Sequence, residues 1–143
     1  MAYSPPAALV KFLKPYDREI RELALQLRAL VLTEMAPCYE NIYDAYSAVA
    51  IGYGTSDRLG DGVFHIAVYS KHVNLGFNDG AALADPKGIL EGTGNRIRHL
   101  TIKTPADLAR HRSGWPARRR PPGVSIEARD RWPGSWQIGR AHV

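Results

Sequence analysis

Three histidines in the body of the chain, His65, His72 and His99, are the side chains best suited to hold a metal or move a proton. The partners such work commonly needs are missing from the sequence. There is no Cys-x-x-Cys pair, no His-Glu-x-x-His and no EF-hand loop, so the familiar zinc and calcium patterns are absent. No Gly-x-Ser-x-Gly elbow surrounds a serine, and Ser47 and Ser70 lie near strand ends without a visible triad. The lone cysteine, Cys38, excludes an internal disulfide, fits a reducing cytosol, and reads as a small half-buried residue after Pro37. A second candidate is Gly92-Thr93-Gly94 with Asn95, Arg96 and Arg98 behind it. Backbone N–H groups and guanidinium groups in that order can meet an anion. The run is neither a Walker loop nor Gly-x-Gly-x-x-Gly, and a plain turn with solubilising arginines explains it as well.

The elements that must position these groups are legible in the hydrophobic spacing. Residues 17–36 place Ile20, Leu23, Ala24, Leu27, Leu30, Val31 and Met35 on one helical face. Asp17 is the expected N-cap, Pro37 ends the helix, and Arg18, Arg21, Glu22 and Arg28 form the solvated face. A short lead helix is expected near Ala8 to Leu13. In residues 48–54, Val49, Ile51 and Tyr53 alternate with Ala48, Ala50 and Gly52. Phe64, Ile66 and Val68 then alternate with His65, Ala67 and Tyr69, and Val73, Leu75 and Phe77 with His72, Asn74 and Gly76. A turn centred on Ser70-Lys71 pairs Val68 with Val73, Ile66 with Leu75 and Phe64 with Phe77, which puts six apolar side chains on one face. Arg98 to Lys103 reads as a last strand, with Leu100 and Ile102 inward. The order predicts an α+β two-layer sandwich. An antiparallel sheet of about four to five strands would carry N-terminal and C-terminal helices on one face.

The other face of that sheet has an odd composition. Ala48, Ala50, Gly52, Ala67 and Gly76 are small, and His65, Tyr69, His72, Asn74 and Asn78 stand among them. Exposed strands more often carry Thr, Lys and Glu. A platform of small residues with polar handles admits a ligand or partner closely; a plain solvent face is the alternative.

Charge divides the chain in two. Residues 1–110 hold 12 Lys+Arg and 12 Asp+Glu, whereas residues 111–143 hold seven arginines against Glu127 and Asp130. The whole excess of +5 therefore lies at the C-terminal end, with all three tryptophans and no lysine, leucine, tyrosine or phenylalanine. Thr104-Pro105-Ala106-Asp107 starts a helix, but only Leu108 and Ala109 continue its apolar face before Gly114 and Pro116. The closing residues Gln-Ile-Gly-Arg-Ala-His-Val back-translate into a common sequencing adapter. On these grounds residues 1–109 are read as the domain. Residues 110–143 are read as a frame-shifted and adapter-derived tail, expected to be disordered and to bind no specific nucleic acid. The N-terminus shows no signal peptide and no apolar run reaches membrane length, so a cytoplasmic location without membrane contact is expected.

Two stretches resemble a known family. Residues 70–83, SKHVNLGFNDGAAL, and residues 86–108, PKGILEGTGNRIRHLTIKTPADL, are similar to the bacterial YdhG-like family, a domain of unknown function. The amphipathic first helix and Pro37 agree, and the likeness covers roughly residues 15–109. It implies a two-layer α+β sandwich with a closing C-terminal helix. One branch of that family is described as a frataxin-like iron chaperone, so iron enters as a cofactor by resemblance only, and the family supplies no catalytic residues. An acidic ridge is not evident, because Glu34, Glu40 and Asp44 are scattered. The expected function is a small binding module. Lys71, His72, Asn74, Glu91, Thr93, Arg96 and His99 are the candidate ligand-binding residues, and a small ligand, a protein or a second copy of the chain is the partner. The alternative is a small enzyme on an anionic metabolite, with Arg96 and Arg98 on the anion and His72 as acid/base.

Overall fold

The computed structural model describes residues 4–45, 48–56, 58, 61–83, 85, 88–113 and 140–142. Two helices, α1 (Ala7–Leu13) and α2 (Arg18–Met35), precede four strands, β1 (Tyr39–Ala45), β2 (Ala48–Gly54), β3 (Gly62–Val68) and β4 (Val73–Phe77). A 3-10 turn at Gly80–Ala82 leads towards β5 (Arg98–Ile102), then α3 (Pro105–Ser113) and a three-residue β6 (Arg140–His142). Every pairing is antiparallel and the strand order is β5-β4-β3-β2-β1-β6. This is the expected α+β sandwich, with five strands carrying the core and a short sixth on the β1 edge. None of the described helices is long and apolar enough to cross a membrane.

The β3–β4 hairpin takes the register its alternation demands: Phe64 faces Phe77, Ile66 faces Leu75 and Val68 faces Val73. A backbone N–H of Tyr69 donates to the His72 carbonyl at 2.9 Å and closes the turn around Ser70-Lys71. The pairing continues outward. Ile42, Ile51, Ile66, Leu75 and Leu100 form one transverse row across five strands, all at 5% exposure or less. Beneath that row, α2 contributes Ile20, Leu23, Ala24, Leu27, Val31 and Leu32, and α1 contributes Leu9 and Leu13. Burying a Leu or Ile side chain is worth about 1.5–3 kcal/mol, so these rows are the main source of stability.

Several local expectations need correction. Arg28 is not on the solvated face of α2; it is 2% exposed, and Leu30 is only partly buried while Leu32 takes the core position. Asp17 is the N-cap residue but its side chain makes no capping bond. Cys38 is fully buried rather than half-buried. Strand β1 was not evident in the sequence because Glu40, Asn41 and Asp44 break its apolar alternation. The reason is an ion pair across the layers. Arg28 Nε donates to Glu40 Oε2 at 2.8 Å and its Nη2 to Oε1 at 3.0 Å, while the Tyr53 hydroxyl donates to Oε2 at 2.7 Å. A carboxylate can therefore sit on the core face at 0% exposure.

At the C-terminal end, Thr104 Oγ1 accepts the Asp107 N–H at 3.1 Å, and the Asp107 carboxylate reaches back to the Lys103 N–H at 3.0 Å. That bond is the main reason the Asp107 carboxyl lies below the ordinary carboxylate range. Leu108 is buried on α3, which runs on to Ser113, four residues past the expected domain edge at Ala109. Arg140–His142 pair with Tyr39–Asn41. Residues 110–113 and 140–142 of the expected tail are thus described as helix and strand; its other residues, 114–139 and 143, lie outside the described residues.

Candidate functional site

Because β-strand side chains alternate, the register that buries the isoleucine row puts two other rows on the opposite face. One row is Asn41, Gly52, His65, Gly76 and His99; the next is Tyr43, Ala50, Ala67, Asn74 and Thr101. The small residues predicted for this face do form its floor. Gly76 has a specific reason to lack a side chain: a Cβ there would run into the His65 imidazole, which lies across it. The ring is held by Nδ1 against Asn78 Oδ1 at 2.8 Å. A carboxamide oxygen only accepts, so Nδ1 is the donor in this bond.

A cleft of about 260 Å³ opens on this face. Asn41, Tyr43, Gly52, Arg58, His65 and Asn78 line it, with Ile97 at its edge. A Cβ placed on Gly52 would meet nothing within 4 Å, so the space above that glycine is open. Asn41 is 4% exposed, and its Oδ1 is buried with no hydrogen-bond partner among the described residues. Leaving such an acceptor unpaired costs about 1–3 kcal/mol, which makes it the least expected group on the face. Asn74 Oδ1, on the second row, is likewise buried and unpartnered. Neither signal was readable in the sequence for Asn41, since the strand that carries it was not. The Arg58 guanidinium makes no ion pair with a described residue.

The residues singled out from sequence are dispersed rather than gathered. Lys71 lines a different, wider cleft of about 630 Å³ with Lys11, Phe12, Tyr16 and Asp44, between the α1–α2 connection and the β3–β4 turn. There, burial and then the Asp44 charge push the Tyr16 phenol upward. His72 stacks on Tyr69 with ring centroids 4.8 Å apart. Glu91 bridges His99 through two backbone hydrogen bonds, its carboxylate accepts the Thr101 hydroxyl at 2.7 Å, and His99 Nε2 lies 3.8 Å from it. Asn74 sits beside Thr101 across the β4–β5 pair, so Asn74, Glu91 and His99 share one neighbourhood at the β5 side. Thr93 is exposed in the loop.

The anion-loop reading finds its arginines engaged. Arg96 donates to Asp79 Oδ1 through Nε at 3.0 Å and Nη2 at 2.7 Å. Arg98 Nη1 donates to the Gly94 carbonyl at 2.5 Å and the Ile97 carbonyl at 2.8 Å. Gly92, at φ 123°, takes a conformation L side chains rarely adopt, so its glycine serves the loop's path. The loop thus closes on itself, and both guanidinium groups are used in closing it. Among the described residues, no three His, Cys, Asp or Glu side chains come together as a metal site, so the side chains present do not fit the iron that the family resemblance implies. Ser47 lies outside the described residues. Set against family models, curated proteins and solved structures, the chain matches none of them.

Proposed function

We propose that the protein is a YdhG-like binding module that holds a small polar molecule in the cleft on the outer face of its sheet. The observation that carries the reading is Asn41, a residue that lines an open cleft and whose buried Oδ1 has no hydrogen-bond partner among the described residues. Buried polar groups in folded proteins are overwhelmingly paired, and one aligned with a cavity is the group a ligand would satisfy. The glycine and alanine floor supports the same reading by letting a ligand approach the backbone. A binding role is favoured over catalysis because His72, Arg96 and Arg98 are dispersed and occupied, which leaves no convergent acid, base and anion clamp. The experiment is a titration of a broad metabolite library at millimolar concentration, read through the side-chain amide resonances of Asn41 and the imidazole resonances of His65. Saturable shifts in both, lost in Asn41→Leu, are expected. A library that leaves both unmoved overturns the reading.

A further inference from the structure

The second cleft, between the α1–α2 connection and the β3–β4 turn, shares no lining residue with the one on the outer face. Its volume, about 630 Å³, lies within the usual range for small-molecule sites. Four charged residues from four parts of the chain line it: Lys11 on α1, Asp17 just before α2, Asp44 on β1 and Lys71 in the hairpin turn. All four are exposed, and none makes an ion pair or a side-chain hydrogen bond with a described residue. Asp17 is the clearest case, because a carboxylate at an N-cap ordinarily serves the helix and this one makes no capping bond. Asp44 lies close enough to the Tyr16 phenol that its charge, after burial, helps to push that phenol upward. Phe12 and Tyr16, both half-buried, give the cleft an aromatic wall. The charges of these four residues sum to zero but are divided in sign. A ligand of one charge gains little net attraction from them, because one pair cancels what the other supplies. A ligand that is neutral overall and carries both charges gains from both pairs, through charge-assisted hydrogen bonds.

We infer that this second cleft takes a zwitterion, an α-amino acid with an aromatic or large apolar side chain. Its ammonium meets the Asp17 and Asp44 carboxylates, its carboxylate meets Lys11 and Lys71, and its side chain lies against Phe12 and Tyr16. The site is separate from the outer-face cleft and does not depend on it.

The test is calorimetry on the full chain with three probes that share one ring, and the Tyr16 ring resonances serve as a location check. L-Phenylalanine carries both charges, phenethylamine the ammonium alone and hydrocinnamate the carboxylate alone. Phenylalanine should bind at least roughly tenfold more tightly than either analogue, about the weight of one charge-assisted hydrogen bond. It should move the Tyr16 resonances and leave those of Asn41 and His65 in place. The four charged side chains are exposed, so substituting them keeps the fold. Asp17→Asn with Asp44→Asn should remove the preference for phenylalanine over hydrocinnamate. Lys11→Gln with Lys71→Gln should remove its preference over phenethylamine. A singly charged analogue that binds as tightly as phenylalanine, or preferences that survive in both variants, would overturn the zwitterion. Three silent probes, or binding that leaves Tyr16 unmoved, would overturn the site, and neither result touches the outer-face reading.

Discussion

Glu40 and Asn41 are neighbours on one strand, and they end in opposite circumstances. Glu40 points into the core at 0% exposure and is saturated, with two hydrogen bonds from Arg28 and one from Tyr53. Asn41, one residue on and nearly as buried, points the other way, and its oxygen has no partner among the described residues. A charge buried in the core must be fully compensated, because an uncompensated one would cost more than most single interactions supply. An unpaired amide oxygen costs far less and can be tolerated. The difference teaches where to look for function in this molecule. Its most conspicuous charged cluster is structural, and its least satisfied neutral group is the better mark of a site.

Breaking the saturated side should have the largest effect. Arg28→Met leaves Glu40 buried without its cation and should cost about 3–5 kcal/mol in urea unfolding. Adding Glu40→Leu should recover most of that loss. A double variant no better than the single one would mean that the ion pair stabilises the fold beyond compensating itself.

Tyr53→Phe should be milder, at about 1.5–3 kcal/mol, since it removes one hydrogen bond to a charged acceptor. The same residue predicts an alkaline limit. Burial, and then the Glu40 charge, raise the Tyr53 phenol well above its ordinary 10.0. The folded state then keeps a proton that the unfolded state releases near pH 10, so this contribution is intact below that pH and is lost progressively as pH rises above it toward the folded-state value. Urea midpoints followed from pH 8 to 11 should fall more steeply for the wild type than for Tyr53→Phe.

Gly76→Ala sharpens the other side of the comparison. The new methyl must push the His65 ring off the sheet and break its bond to Asn78, a loss of about 1 kcal/mol. Its effect on ligand binding at the cleft should be larger than its effect on stability. Unchanged His65 resonances in this variant would contradict the placement of the ring.

The smallest effect on stability belongs to Asn41→Leu. It replaces an orphaned acceptor by an apolar group of similar size, so the urea midpoint should stay within about 0.5 kcal/mol of wild type or rise. A loss above 2 kcal/mol would show that Asn41 has a partner in the folded protein and would remove the argument for the cleft.

Periodicity by itself determined the α+β architecture, the face of α2 that turns inward, and the hairpin register from Phe64 to Phe77. Each rests on local alternation that only one pairing can bury. It also marked the small-residue floor, because Ala50, Gly52, Ala67 and Gly76 take the non-core positions of strands already legible. What tertiary structure alone decided was β1, and with it the candidate site. Glu40 reads as a surface residue until Arg28, twelve positions away on α2, and Tyr53 on β2 are brought against it. Arg28 in turn reads as solvated until Glu40 is there. Such pairs are mutually conditional, so neither partner shows a core signature on its own. Asn41 inherits its place from that arrangement. The same logic scattered the expected loop site: Arg96 found Asp79 and Arg98 found the carbonyls of its own loop, partners that sequence spacing does not reveal.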